Sequence, residues 1–209
     1  MKKIFTIALF IGITNCIAQD VKQIFTATEI AWYGLDFTKA KFVGGFDQAA
    51  GIAAATGSDM KSKWIPAWNS LILSEPNHFD LRKVFRKDNV YNDLNPVTEL
   101  NSKIDPDECM GFNPTKISQA EIEEMVKKYN GDKKDGIGLS FIVENFNKGS
   151  QMADVYVTFF DIASKKVLLS EKVSGKAVGI GMRNYWAGAI KDILKQIDSS
   201  HYKNWKNKK

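Results

Sequence analysis

The sequence predicts an α+β fold in which an antiparallel β-meander packs against amphipathic helices as a two-layer sandwich. Three segments of the C-terminal half alternate apolar and polar residues as strands do, over residues 136–146, 153–162 and 167–173. Their connections are short, which favours antiparallel pairing. A closing helical pattern over residues 186–197 can cover their apolar face. No repeat or low-complexity linker divides the chain, so we expect a single domain over residues 19–200.

The first elements of this domain follow from local patterns. Residues 29–37 show the alternating pattern of a strand and contain β-branched and aromatic side chains. Residues 39–43 continue the strand pattern after a bend. Trp64 and Trp68 begin an apolar stripe at helical spacing. We predict a strand in the first segment and a helix over about residues 63–73, packed on the core.

The middle of the chain contains three further patterns. Asp80 precedes apolar residues at helical spacing and predicts a short helix, whereas residues 95–104 (NPVTELNSKI) predict a strand. Ser118 and Glu121 are spaced as a capping box, and the apolar face over residues 122–129 follows them. This combination predicts a helix that begins at Ser118.

Residues 173–190 (VSGKAVGIGMRNYWAGAI) join the last predicted strand to the closing helix. Gly175-Lys176 lacks the following Ser or Thr and the earlier glycine of a P-loop, and Asn184 stands where a dinucleotide fingerprint has its third glycine. We therefore interpret the segment as a hinge between a strand and a helix. Arg183, Asn184 and Tyr185 are predicted to line an interaction surface that this hinge exposes.

The first 18 residues have the composition of a secretory signal peptide. Two lysines precede a mostly apolar run over residues 4–14, and small residues follow, so we expect export and cleavage after Ala18. As a helix this run is about 17 Å long, too short to cross a bilayer. Cys16 leaves a second interpretation open, that the chain is a lipoprotein acylated on this thiol. After cleavage at Ala18, Cys109 is the only cysteine left, and no internal disulfide is expected.

The positive net charge is concentrated at the two ends of the chain. The formal charge is +5, but two lysines lie in the signal peptide and four lie in a C-terminal tail over residues 201–209 (HYKNWKNKK). The body is therefore close to neutral, which argues against nucleic acid as a partner. Tyr202 and Trp205 alternate with the tail lysines, a pattern typical of segments that touch anionic lipid or a polyanionic polymer, and predict an interaction surface with peripheral membrane contact. The alternative is a solvated chain end.

Residue types that carry catalysis are sparse. The two histidines, His78 and His201, lie in a predicted loop and in the tail, and no local spacing indicates a catalytic triad. Asp105, Asp107 and Glu108 form a dense acidic cluster, but they lack the spacing of an EF-hand and are interpreted as a solvated turn. We predict no catalytic residues, no cofactor and no metal site.

The C-terminal half also resembles a group of exported modules. Residues 155–175 (VYVTFFDIASKKVLLSEKVSG) contain a strand that ends in Asp161, a turn, a second strand and a Ser-Gly before the last helix. This pattern resembles the periplasmic domains of the curli-secretion channel and of the lipoprotein activators of penicillin-binding proteins, and more distantly the TolB amino-terminal domain. The resemblance covers residues 115–199, and it departs at residues 163–166, where Ala-Ser-Lys-Lys replaces the usual Thr-Gly turn. It implies a module that acts by contact, with no catalytic residues to carry over.

These observations predict an exported, non-enzymatic cell-envelope protein of the periplasm or outer membrane, with secretion as a further destination. Its expected partner is an envelope protein or a cell-wall polymer, and the oligomeric state is left open. One alternative is a small-molecule or lipid carrier, with an apolar pocket lined by Trp64, Trp68 and Trp186. The other is an enzyme that uses dispersed carboxylates.

Overall fold

The computed structural model describes residues 21–46 and 55–207. The strands are β1 (Glu29–Asp36), β2 (Lys41–Val43), β3 (Asn89–Asn92), β4 (Met110–Gly111), β5 (Ile137–Asn147), β6 (Met152–Asp161) and β7 (Val167–Lys176). The helices are α1 (21–26), α2 (Gly57–Asp59), α3 (Ile65–Ser74), α4 (Leu81–Phe85), α5 (Asn95–Asn101), α6 (Pro106–Cys109), α7 (Gln119–Val126), α8 (Gly181–Gln196) and α9 (Tyr202–Asn207). The predicted signal peptide, with Cys16, lies outside the described residues.

A single mixed sheet contains these seven strands, with β5 near its centre. β1 and then β2 pair with successive parts of one edge of β5, both in parallel, and β6 pairs with the other edge in the antiparallel sense. β3 continues the sheet beyond β1 and β4 continues it beyond β2, again in parallel, while β7 pairs antiparallel with β6. The sheet is curled into a half-barrel, and the arrangement is α/β and Rossmann-like.

The predicted antiparallel meander in a two-layer sandwich is therefore wrong as a description of the fold. Strands β5 to β7 do pair antiparallel, but parallel strands adjoin them and helices cover both faces. On one face, Phe141 and Val157 share a core with residues of α3, α4 and α8. On the other, Ile142 and Phe160 pack with residues of α5 and α7. The physical reason lies in β1, where seven of eight residues are buried, because a strand buried on both faces needs helices on both sides.

Several local predictions are confirmed, and one is reversed. α3 coincides with the helix predicted from the tryptophan spacing, α4 follows its predicted cap Asp80, and α7 begins with a capping box between Ser118 and Glu121. Residues 95–104, predicted as a strand, instead contain α5, which has Pro96 in its first turn. β3 has no counterpart in the sequence prediction.

The C-terminal helix is longer than predicted. α8, the π-helical turn Ile197–His201 and α9 follow one another without a break. Tyr202 and Trp205 are only 7% and 2% exposed, and Tyr202 makes an edge contact with Phe25 of α1, with ring centroids 5.3 Å apart. The expected basic-aromatic tail is corrected accordingly: residues 201–207 continue the last helix, and their two aromatic rings belong to the core.

Two asparagines stabilise the irregular end of β1, where the register against β5 shifts just before Gly34. The Asn69 side chain accepts a hydrogen bond from the Leu35 amide at 2.7 Å and donates to the Leu35 carbonyl at 3.1 Å. Asn101 accepts from the Phe37 amide at 2.8 Å and donates to the same Leu35 carbonyl at 2.9 Å. Side chains of α3 and α5 thus pair backbone groups that the sheet leaves unpaired at this bulge.

Candidate functional site

The main candidate site is an open groove beside α8. Two adjoining cavities of about 470 and 330 Å³ share His78, Val178, Gly188 and Lys191, and together they separate α8 from the segment over residues 75–84. We call this surface the α8 groove. Its position on an exposed helix face makes it accessible to a partner.

The hinge between β7 and α8 forms one wall of the groove, which confirms the strand-to-helix interpretation of this segment. Gly179 and Gly181 have φ angles of 150° and 78°, which residues with a Cβ rarely adopt. A Cβ on Gly188 would lie only 1.9 Å from the Val178 carbonyl oxygen. The absence of a side chain at position 188 thus allows the hinge backbone to pack directly against α8.

Four lysines that line the groove have no carboxylate partner among the described residues: Lys83, Lys176, Lys191 and Lys195. The Lys191 ammonium lies 3.3 Å from Nδ1 of His78, which is a neutral partner in its unprotonated form. Lys191 and Lys195 are four residues apart, so they lie on one face of α8. The lysines thus present positive charge that no ion pair among the described residues neutralises.

The acidic residues of the groove are all engaged by other groups. They are Asp80, which caps α4 by accepting from the Lys83 amide, Asp192, which accepts from the Lys176 amide, Asp198, which pairs with Arg86 at 2.6 Å, and Glu75, which pairs with Arg183 at 3.3 Å. Asp198 and Glu75 are neutralised by their arginine partners, whereas Asp80 and Asp192 accept from neutral amides and keep their charge. Four lysines without an ion pair in the described part of the chain, against two such carboxylates, leave the groove with an excess of positive charge, which attracts anions.

Apolar side chains lie between the charged ones. Val84 and Leu194 line the larger cavity, and Val178 lines both cavities. Buried apolar area supplies affinity whereas charged groups fix orientation and partner choice. The surface thus suits a ligand that carries both acidic and apolar groups.

The predicted surface residues of the hinge are only partly brought together. Arg183 and Asn184 line one end of the groove, where Arg183 pairs with Glu75 and its carbonyl accepts from the Trp68 indole at 3.1 Å. Tyr185 is half-buried against the core and does not line the groove. Tyr202 and Trp205, which were also predicted to form an interaction surface, are buried in the core.

The lysines of the groove were not among the site residues predicted from the sequence. The spacing of Lys191 and Lys195 was a usable signal, because residues four apart on a helix are neighbours. Lys83 and Lys176 come from α4 and from the end of β7, and only the tertiary fold brings them to the same surface. No local pattern in the chain identifies such a set.

Two buried carboxylates lie on the sheet face opposite α8. Asp36 accepts hydrogen bonds from the Tyr129 hydroxyl at 2.6 Å and from the Thr38 amide at 2.7 Å, and burial raises the pKa of this carboxyl group. Glu144 accepts from the Ile117 amide at 2.9 Å and pairs with Lys172. Their oxygens are occupied by internal donors, which is typical of carboxylates that stabilise a fold.

The apolar pocket expected for a carrier is filled by side chains. Trp68 and Trp186 are each 1% exposed. Phe146 stacks on Trp186 with centroids 4.5 Å apart, and Phe37 stacks on Trp68 at 5.6 Å. Trp64 is partly buried beside Trp68. These rings form core packing and leave no room for a ligand between them.

Comparisons with known proteins give no relative for this chain: no family model matches it, and neither a curated protein nor a solved structure shows significant similarity. The resemblance to the curli-channel and activator-lipoprotein modules therefore stays a prediction. Over residues 21–46 and 55–207, no helix is long and apolar enough to cross a membrane. The same part of the chain contains no group of three or more His, Cys, Asp or Glu residues placed to hold a metal ion.

Proposed function

We propose that this chain is an exported, non-enzymatic cell-envelope protein that binds an acidic segment of another envelope protein in the α8 groove. The observation that carries the proposal is the set of four groove lysines without carboxylate partners among the described residues, which outnumber the two groove carboxylates, Asp80 and Asp192, that are bonded only to neutral groups. The composition of the first 18 residues supports export.

The charges of the groove favour an acidic partner. An ammonium group that already has a carboxylate partner gains little from a second one, whereas Lys83, Lys191 and Lys195 have no such partner in the described part of the chain. Electrostatic complementarity of this kind speeds association and rejects basic partners. Binding should therefore weaken as salt is added, because exposed charges are screened within about 8 to 10 Å at physiological ionic strength.

The shape of the groove favours a protein segment. It is open and bounded along its length by α8, so a short helix or extended segment can lie in it and bury apolar side chains against Val84, Val178 and Leu194. A carboxylate next to an apolar residue in the partner would satisfy both kinds of groove residue.

Site-specific photo-crosslinking in the native envelope tests the proposal. A photoreactive residue replaces Asn77, which is exposed on the groove rim, and a matched one replaces Gln119, which is exposed on α7 at the opposite face of the sheet. We expect a discrete crosslinked protein from position 77 that is absent from position 119 and that decreases with added salt. Equal crosslinking from both positions, or none from position 77, would contradict the proposal.

A further inference from the structure

The tip of the hinge exposes two apolar side chains, one of which, Ile180, the groove does not use. Ile180 is 92% exposed and Val178 is 63% exposed, on either side of Gly179. Ile180 does not line either cavity of the α8 groove. We call Val178, Gly179 and Ile180 the hinge tip.

Ile180 occupies a position where the local rules of helix formation favour another residue. It is the N-cap of α8, and its side chain makes no capping hydrogen bond. Ser, Thr, Asp and Asn are strongly preferred at this position because their oxygens accept from free helix amides, and isoleucine offers no acceptor. The helix therefore begins at an exposed apolar residue that cannot cap it. A residue that conflicts with local helix preferences in this way is expected at functional positions.

A second exposed apolar residue lies at the same end of the sheet. Phe112, 83% exposed, follows directly after β4, and the hinge tip follows β7. The last residues of β4, β2 and β5, the first residue of β6 and the last residue of β7 are register partners in that order, so four strand spacings, about 19 Å measured along the curled sheet, separate the two loops. Two apolar loops at this separation suit one flat surface better than one pocket of a partner protein.

The charges near the hinge tip indicate the sign of that surface. Lys176 lies two residues before Val178 and has no carboxylate partner among the described residues, whereas Arg183, three residues after Ile180, is paired with Glu75. The acidic residues of α6 lie on the Phe112 side. The electrostatic attraction to an anionic surface is therefore assigned to Lys176 beside the hinge tip and not to the Phe112 side.

We infer that the hinge tip, with Phe112, docks on an anionic lipid surface by inserting exposed apolar side chains while Lys176 faces the headgroups. Apolar side chains that enter the interfacial region of a membrane are removed from water, which stabilises binding. Basic residues add electrostatic attraction to acidic lipid headgroups. This assigns membrane contact to the hinge, in place of the C-terminal tail whose aromatic rings are buried.

Vesicle co-sedimentation of the processed protein tests the inference. The protein and its variants are prepared as the mature chain from Gln19, so that no acyl chain on Cys16 contributes. The probes are vesicles of phosphatidylcholine alone and of phosphatidylcholine with an equal part of phosphatidylglycerol. Ile180→Ser is expected to lower the partition coefficient on the acidic vesicles by roughly tenfold, because an isoleucine side chain is no longer buried. Folding should be kept or improved, since serine is a preferred N-cap.

Tyr91→Ser is the matched control, because Tyr91 is a partly exposed aromatic residue whose pairing with Ala31 places it toward the other end of the sheet. It should bind vesicles as the unaltered chain does. The inference is overturned if Ile180→Ser binds unchanged, if Tyr91→Ser loses binding equally, or if neutral vesicles bind as strongly as acidic ones. Because Ile180 lies outside the groove, Ile180→Ser should leave the crosslink from position 77 intact, so failure here is distinguishable from failure of the proposed function.

Discussion

Lys87 shows how a single buried charge connects the N-terminal helix to the body. Its ammonium donates to the carbonyl oxygens of Ile24 and Ala27, at the C-terminal end of α1, and the residue is only 7% exposed. Burial lowers the pKa of Lys87 from 10.5 to about 8. The folded protein therefore releases this proton at a lower pH than the unfolded chain does.

This difference predicts that folding stability rises with pH in the alkaline range. Between about pH 8 and 10.5 the unfolded chain binds more protons at Lys87 than the folded protein does, so the free energy of unfolding increases as pH rises. Relative to Lys87→Met, we expect the unaltered chain to gain about 2 kcal/mol between about pH 7.5 and 9.5. Urea unfolding at both pH values measures this. A constant difference between the two proteins would show that burial does not shift this lysine.

The buried Asp36 cluster provides a second prediction. Tyr129→Phe removes the hydroxyl that donates to Asp36 at 2.6 Å and leaves one carboxyl oxygen in the core without its donor. We expect a loss of about 1–3 kcal/mol in the free energy of unfolding. Tyr91→Phe serves as the control, since Tyr91 is partly exposed on an edge strand, and it should change stability by less than about 0.5 kcal/mol. Equal effects of the two substitutions would contradict a structural role for the cluster.

At the scale of single elements, the contact between the hinge and α8 is the one that shapes the groove. Gly188→Ala would place a Cβ 1.9 Å from the Val178 carbonyl oxygen, so the hinge backbone must move away from the helix. We expect a destabilisation of about 1–3 kcal/mol, typical of overpacking, together with a weaker crosslink from position 77. Gly149→Ala is the control, because its nearest neighbouring atom would be 3.4 Å away in an exposed turn. If Gly188→Ala leaves both stability and crosslinking unchanged, the hinge does not form a wall of the groove.

Elements with strong local signals could be predicted from the sequence, whereas their pairing could not. The capping box at Ser118 fixes the start of α7, and alternating side chains mark β5 and β6. The parallel pairing of β1 with β5 depends on contacts more than 100 residues apart in the chain, which no local pattern records. In α5, the buried residues Val97 and Asn101 are four residues apart, as on one face of a helix, but the segment is short enough for strand and helix patterns to be confused.

The candidate site could be predicted only in part for the same reason. The glycines of residues 173–190 identify the hinge, because a change from strand to helix needs backbone freedom. The groove itself is formed by α4, the segment after α3 and α8 together, and its charge appears only when the partners of Asp80, Asp192 and Asp198 are known.

At the scale of the whole molecule, the two ends of the sheet have different neighbours. α1 precedes the start of β1 and packs against Tyr202 of α9. The hinge tip and Phe112 lie at the other end, next to the end of β5. The α8 groove runs beside the helix that begins at the hinge, so a partner in the groove would lie close to the surface that we propose contacts lipid.

Charge reversal in the groove tests the central claim most directly. Lys191→Glu with Lys195→Glu reverses two unpaired groove lysines, and Lys116→Glu with Lys128→Glu makes the same change in net charge outside the groove. With the photoreactive residue at position 77, we expect the groove pair to reduce the crosslinked species at least tenfold, because two attractive contacts become repulsive. The control pair should leave it within about twofold, since general electrostatic attraction is weaker than local pairing. A crosslink that survives reversal of the groove lysines, or that both pairs abolish equally, would contradict a specific acidic partner in the α8 groove.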